Sequence, residues 1–215
     1  MKNDKRLTAL LVLLILLLIG ALYWVVVGLG ESPEGAEQAG HQQLELAAEP
    51  VGGDFTLTSK AGEVSLSDFQ GQVVLIYFGY VFCPDVCPDS LARIAGALEQ
   101  LDEDQQAEVQ PLFISVDPER DTLEHLDHYT RWFHEDILGL TGDPEVISDV
   151  ADRYGAAYRR VDGDEEAGYL VDHSSFFYLV DRDGALQEIL PHGMDPGELA
   201  VALQDALAWD EQPEQ

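Results

Sequence analysis

Between residues 51 and 209 the spacing of apolar positions changes repeatedly, and each change marks an element. "DFTLTS" (54–59) and "EVSLSDF" (63–69) alternate apolar with polar residues, and Lys60-Ala61-Gly62 joins them as a hairpin. "QVVLIYFGY" (72–80) is apolar almost without a break, the pattern of a strand covered on both faces. "PDSLARIAGALEQL" (88–101) then places Leu91, Ile94, Ala95, Leu98 and Leu101 on one helical face. A second buried strand, "VQPLFISVD" (109–117), precedes a helix over "TLEHLDHYTRWFHE" (122–135), for which Asp121 is the expected N-cap. The short strand "ILGLTGD" (137–143) leads to a helix from Pro144 to Tyr154, stopped by Gly155. "SSFFYLVD" and "ALQEIL" flank "RDG" as a second hairpin, and "DPGELAVALQDALAW" (195–209) ends the domain as an amphipathic helix.

Strand–helix–strand crossovers followed by a hairpin and a terminal helix predict an α/β fold. Its mixed sheet is flanked by helices on both faces, with an extra N-terminal hairpin, a plan similar to that of thioredoxin. The roughly 160 residues of 51–209 suffice for one domain.

The N-terminal pattern is different. "LTALLVLLILLLIGALYWVVVGLG" (7–30) carries no charge. As a helix it reaches about 35 Å, enough for a hydrocarbon core of about 30 Å. A cleaved signal peptide is the competing reading, but its apolar stretch is shorter, about 7–15 residues. The expectation is a single transmembrane anchor with Tyr23 and Trp24 near its far interface. Lys2, Lys5 and Arg6 then hold residues 1–6 in the cytoplasm, which for a bacterial protein puts the domain on the periplasmic side of the inner membrane. "ESPEGAEQAGHQQLELAAEP" (31–50) has no apolar period and reads as a flexible tether, and "DEQPEQ" (210–215) as a disordered tail.

Charge narrows the function. Of 11 basic and 41 acidic residues in the 215-residue chain, Lys2, Lys5, Arg6 and Asp4 precede the apolar run. Eight basic groups then face 40 acidic ones, which excludes nucleic acid as a partner, since phosphate binding needs basic patches. Such a surface keeps the domain hydrated and self-repelling.

The chemistry concentrates in "YFGYVFCPDVCPDSLARI" (77–94), which holds the chain's two cysteines. Cys83 and Cys87 follow a buried strand and precede a helix, where open α/β sheets build their sites. The helix start favours the thiolate. If the intervening segment is helical, the two sulfurs project on one side about 6 Å apart along the axis. Three readings stand: a structural disulfide, a thiol–disulfide redox pair, and a metal site needing at least one more ligand. A peroxidase is a weaker option, since no motif near Cys83 supplies an assisting arginine.

Six histidines compete for that further position. His41 falls in the tether; His125, His128 and His134 lie on the charged helix. His192 belongs to the loop "LPHGMDP" beside Met194, whose thioether suits copper. His173 in "YLVDHSSFFYLVDRDG" immediately precedes a buried strand, where thioredoxin-like oxidoreductases place a cis-proline against their cysteines.

Four motifs in this order, "FGYVFCPDVCP", "ISVDPERDT", "LGLTGDPEVI" and "VDHSSFFYLVDRDG", give the chain a resemblance to the Sco/SenC family of membrane-anchored copper proteins. It covers most of 51–209 and the anchor. It implies that Cys83, Cys87 and His173 are copper ligands, and two thiolates with one imidazole suit Cu(I), or Cu(II) with an added oxygen. A structural zinc site wants four closed ligands, and only three are apparent. The implied function is a metallochaperone, not an enzyme, that delivers copper to the binuclear copper centre of cytochrome c oxidase subunit II. The alternative is a thiol–disulfide reductase that keeps that centre's cysteines reduced. Another periplasmic copper chaperone or a thiol reductase is a further implied partner. Transfer calls for an incomplete, exposed ligand shell. Asp172 is either an acceptor orienting the His173 imidazole or a solvent-facing carboxylate. Asp85 and Asp117 fall near the mouth without an assigned role, and the His192/Met194 loop is not a feature the family explains.

Overall fold

A computed structural model describes residues 44–162 and 168–209, with the separate positions 16, 17, 20 and 23. The expected anchor over 7–30, apart from those four positions, lies outside the described residues, as do residues 31–43 of the tether and the tail 210–215. Among the described residues no helix is long and apolar enough to cross a membrane.

The alternating segments pair as their pattern requires. β1 (Thr56–Ser59) and β2 (Gly62–Ser65) form an antiparallel hairpin with Leu57 opposite Val64. The second strand is shorter than its alternation implies. Leu66–Phe69 winds into a 3-10 helix, whose Asp68 carboxylate accepts from the Ser65 N–H.

The main sheet has five strands. β3 (Val73–Gly79) is its centre and is buried along its whole length. β4 (Val109–Ser115) lies parallel to β3, and β5 (Leu138–Leu140) parallel to β4. Two further strands, β6 (Tyr158–Asp162) and β7 (Tyr169–His173), form a separate antiparallel ribbon. On the other side of β3 come β8 (Phe176–Val180) and β9 (Leu186–Pro191), both antiparallel to their neighbours, giving the order β5-β4-β3-β8-β9. Parallel crossovers on one side and a hairpin on the other make this the mixed, thioredoxin-like sheet.

Alternation along β3 divides the aromatic core between two faces. Tyr77 meets Phe113 of β4 and Phe177 of β8, and Phe113 in turn meets Tyr129. On the opposite face Phe78 and Tyr178 pack around Tyr154, which also touches Phe55. Each such ring contributes roughly 1.5–3 kcal/mol through burial, so β3 anchors the fold on both sides.

Among the described residues of the domain five helices flank the sheet: α1 (Val86–Leu98), α2 (Glu103–Ala107), α3 (Leu123–Phe133), α4 (Pro144–Tyr154) and α5 (Pro196–Leu207). Their ends follow local chemistry. Asp195 accepts from the Gly197 and Glu198 N–H groups, and Glu198 returns the bond to Asp195. Pro144 opens α4, and Gly155 closes it at φ 67°, where a side chain would be strained and would also collide with the Ala48 carbonyl. The N-cap of α3 is Thr122, which accepts from His125 N–H, and not Asp121, whose carboxylate is turned inward.

Part of the expected tether is tied to the domain. The N–H groups of Leu44, Ala47 and Val51 donate to the carbonyls of His173, Gly155 and Arg153. Residues 44–50 therefore run as a strap across α4 and the end of β7.

Candidate metal centre

β3 ends at Gly79, and the chain turns through Tyr80, Val81 and Phe82 to reach Cys83 before α1 begins. Asp121 braces this turn: its Oδ2 accepts from the Val81 N–H at 3.0 Å and from the Ser115 hydroxyl at 2.6 Å. Burial pushes the Asp121 carboxyl up to about 6, against the opposing hydrogen bonds from Ser115 and Val81.

The sulfur of Cys83 takes over the helix cap. Asp85 holds the N-cap position but makes no side-chain cap bond, and Cys83 Sγ accepts from the Cys87 N–H at 3.4 Å. Cys87 lies inside the first turn of α1 and Cys83 outside it, so the spacing expected of two sulfurs on one helix does not apply. Cys83 Sγ, Cys87 Sγ and a ring nitrogen of His173 instead lie within 4.8 Å of one another. Cys87 Sγ and His173 Nε2 are 3.2 Å apart.

Gly79 makes room for this approach. A Cβ there would lie 2.7 Å from Cys87 Sγ and 2.8 Å from Cε2 of Phe113. His173 is the last residue of β7 and is fully buried, not a loop residue ahead of the strand. Its Nδ1 lies 2.9 Å from the Ser174 carbonyl, which only accepts, so in the neutral ring Nδ1 carries the proton. That leaves the Nε2 lone pair facing the sulfurs. The rings of Tyr77 and Tyr80 stand edge-on to the imidazole at 6.2 and 5.9 Å. Asp172 points to the other side of β7, where it pairs with Arg159 at 3.0 Å, and so does not orient the ring.

Both cysteines are free thiols, and their environments drive them apart. Cys83 is lowered to about 3, chiefly by the hydrogen bond from Cys87, with the N–H groups of Asp85 and Cys87 assisting against burial. Burial raises Cys87 well above the ordinary thiol value, and the neighbouring Cys83 charge raises it further. The pair is therefore one thiolate and one thiol that share a hydrogen bond. Tyr77, kept neutral by burial, directs its hydroxyl toward Cys87 Sγ at 4.0 Å.

The site is more enclosed than the expected open shell. Cys83 is 5% exposed and Cys87 and His173 are at 0%, while neighbouring Phe82 is 50% exposed. Two surface clefts of about 200 and 330 Å³ are lined by other residues. Asp85 is exposed, whereas Asp117 is buried and bonded to Arg120 and the Tyr169 hydroxyl. His125 and His128 lie on the exposed side of α3, His134 follows its end, and His41 lies outside the described residues. His192 donates its N–H to the Ser175 carbonyl, and Met194 packs against the core. Sequence reasoning missed the site roles of Gly79, Tyr77, Tyr80, Asp121 and the Ser174 carbonyl; only a glycine near the end of the apolar run 72–80 hinted at the first. Two sulfurs and one imidazole nitrogen make a soft, three-donor set suited to Cu(I) or Zn²⁺.

The SCO1/SenC family model matches residues 43–208. An SCO2-like protein of Rickettsia prowazekii is 39% identical over 187 residues, covering 86% of this chain and 89% of the relative. A crystal structure of Arabidopsis thaliana ScoI with copper bound superposes with a TM-score of 0.68 at 36% identity, over 73% of this chain and 98% of that one. BsSco, described as a member of the Sco family of cytochrome c oxidase assembly proteins with a disulfide switch, shares the fold at 24% identity. Its TM-score is 0.58, over 78% of this chain and 99% of that one.

Proposed function

Because the chain belongs to the SCO1/SenC family, we propose that it is a membrane-anchored copper metallochaperone serving cytochrome c oxidase assembly. Cys83, Cys87 and His173 hold the ion, and the receiver is the binuclear copper centre of oxidase subunit II. The anchor is the apolar run 7–30, with the domain on the periplasmic side of the bacterial inner membrane. The observation that carries this reading is the convergence of two sulfurs and an imidazole nitrogen within 4.8 Å, the nitrogen kept unprotonated in the neutral ring by the Nδ1 bond to Ser174.

Copper is the cargo, and each residue has a part in handling it. Cys83 enters as a thiolate, so a cuprous ion displaces only the Cys87 proton when both sulfurs bind. Burial excludes water and competing ligands, and the edges of Tyr77 and Tyr80 confine the imidazole.

The thiolate–thiol asymmetry supports the second reading, reduction of the receiver's disulfide. The Cys83 thiolate attacks that disulfide, forming a mixed disulfide and releasing one receiver thiolate. Cys87 then loses its proton and attacks Cys83 Sγ, releasing the second receiver thiolate and leaving the Cys83–Cys87 disulfide. A separate thiol reductase supplies the two electrons that reset the pair.

Metal titration separates the readings. The full-length chain, reduced and held in mild detergent, is expected to bind about one equivalent of copper with thiolate-to-copper charge transfer that His173→Ala weakens or shifts. Tight binding indifferent to His173→Ala would remove His173 from the site. Oxidase assembly restored by a variant that exchanges disulfides but binds no copper would favour the reductase.

A further inference from the structure

We propose that His192 is a fourth, mobile ligand that takes hold of copper at the mouth of the site formed by Cys83, Cys87 and His173. The inference deepens the proposed function and rests on copper being the cargo.

Its position comes from the β8–β9 register. Phe176 pairs with Pro191, and the next residue, His192, donates its N–H to the Ser175 carbonyl at 3.1 Å. The adjacent Ser174 carbonyl is the one that fixes the His173 ring. The two histidines are thus carried by the two ends of one short segment, 173–176, and its antiparallel partner. Pairing opposite Ser175 gives His192 the strand parity of Phe177, which meets Tyr77, so its side chain is on the face of the sheet that carries the site. The loop that carries it is tied to α1 by Arg93, which bonds Asp89 with Nε at 2.7 Å and the Met194 carbonyl with Nη1 at 2.8 Å. The charges of Asp89, Arg93, Asp85 and His173 all bear on its imidazole.

The ring itself is left wanting. His192 Nδ1 is a buried atom without a hydrogen-bond partner, an arrangement that destabilises a fold. The triad meanwhile has the opposite shortage, since its three donors leave one position open in a tetrahedral or tetragonal copper site. At rest His192 is not among the atoms that converge within 4.8 Å. For His192 to complete the site, rotation about its side-chain bonds, with the backbone held by Ser175, must carry a ring nitrogen to the remaining position. Because all three converging residues are buried, an ion leaving them must pass the rim, where Asp85 and Asp89 favour a cation and His192 offers a nitrogen.

The test uses the full-length chain in detergent, loaded with copper(II). Pulsed electron paramagnetic resonance counts the imidazoles on the ion through their remote nitrogens. The expected result is two imidazoles in the wild type, and one each in His192→Ala and His173→Ala. Capture of the ion by an excess of chelator is expected to quicken about tenfold or more in His192→Ala. His192→Gln, which keeps the bulk of the loop, serves if the alanine variant does not fold, with the same expectations. One imidazole in the wild type, with capture unchanged in the variants, removes His192 while leaving the copper site standing. A wild-type chain that holds no copper at Cys83, Cys87 and His173 overturns both.

Discussion

Gly79→Ala places a single methyl group against the metal centre. The added Cβ would lie 2.7 Å from Cys87 Sγ and 2.8 Å from Phe113 Cε2, where ordinary contact is about 3.5–4.0 Å. Something must therefore move by about 1 Å. Both neighbours are fully buried, so neither can swing into solvent. Overpacking of this kind costs about 1–3 kcal/mol, and the gain from replacing a strand glycine returns roughly 0.5–1 kcal/mol. The net loss for the metal-free chain is about 1–2 kcal/mol. The effect on copper should be larger, because ligand positions tolerate only about 0.2 Å and the Cys87 sulfur is asked to shift several times that. Binding is expected to weaken more than tenfold, with an altered charge-transfer spectrum. Urea unfolding at constant m-value measures the first quantity, and competition with a copper chelator the second. Gly139→Ala is the control, since its Cβ would press on Leu126 at 3.0 Å, away from the cysteines. It should destabilise the chain and leave the copper spectrum alone. Wild-type copper affinity and spectrum in Gly79→Ala would refute the close approach of β3 to Cys87.

Two further expectations follow from the shifted groups around the site. Alkylation of Cys83 by iodoacetamide, slow because the sulfur is nearly covered, should be flat between about pH 5 and 8, whereas an ordinary thiol quickens about tenfold per unit; a tenfold rise per unit would place the thiolate elsewhere. The stability this thiolate supplies is complete above the ordinary value of 9.0 and is lost as pH falls toward 3. Asp121 runs the other way: its carboxyl is raised from 3.8 to about 6, so its proton favours the folded state, and that contribution is full below 3.8 and lost as pH rises through 6. Relative to Asp121→Asn, the wild type should therefore lose about 2.4 kcal/mol between about pH 4 and 7, measured by unfolding at both ends; a constant difference would show that the carboxyl is not raised.

The parts of the fold most legible in the sequence are those whose burial is continuous or whose ends carry their own chemistry. β3 and β4 announced themselves as unbroken apolar runs, and α4 was bounded to the residue by Pro144 and Gly155. The β6–β7 ribbon was missed because "YRRVD" is short and largely exposed, and its identity depends on pairing with 169–173. Asp121 and Thr122 are both good caps by residue type, and only the inward demand of Val81 and Ser115 assigns Thr122 to the helix. At the site, residue type singled out the two cysteines, and the place of His173 ahead of β8 singled out the imidazole that converges with them. The residues alone left metal and redox chemistry open, and the family resemblance supplied the ligand set. Gly79 and the Ser174 carbonyl act through distance and proton placement, which have no signature along the chain.

The strap at the front of the domain has a mechanical consequence. Its first described bond runs from the Leu44 N–H to the backbone carbonyl of His173. A displacement of the Leu44 peptide is thus passed to the residue whose imidazole faces the sulfurs, before it reaches the main sheet.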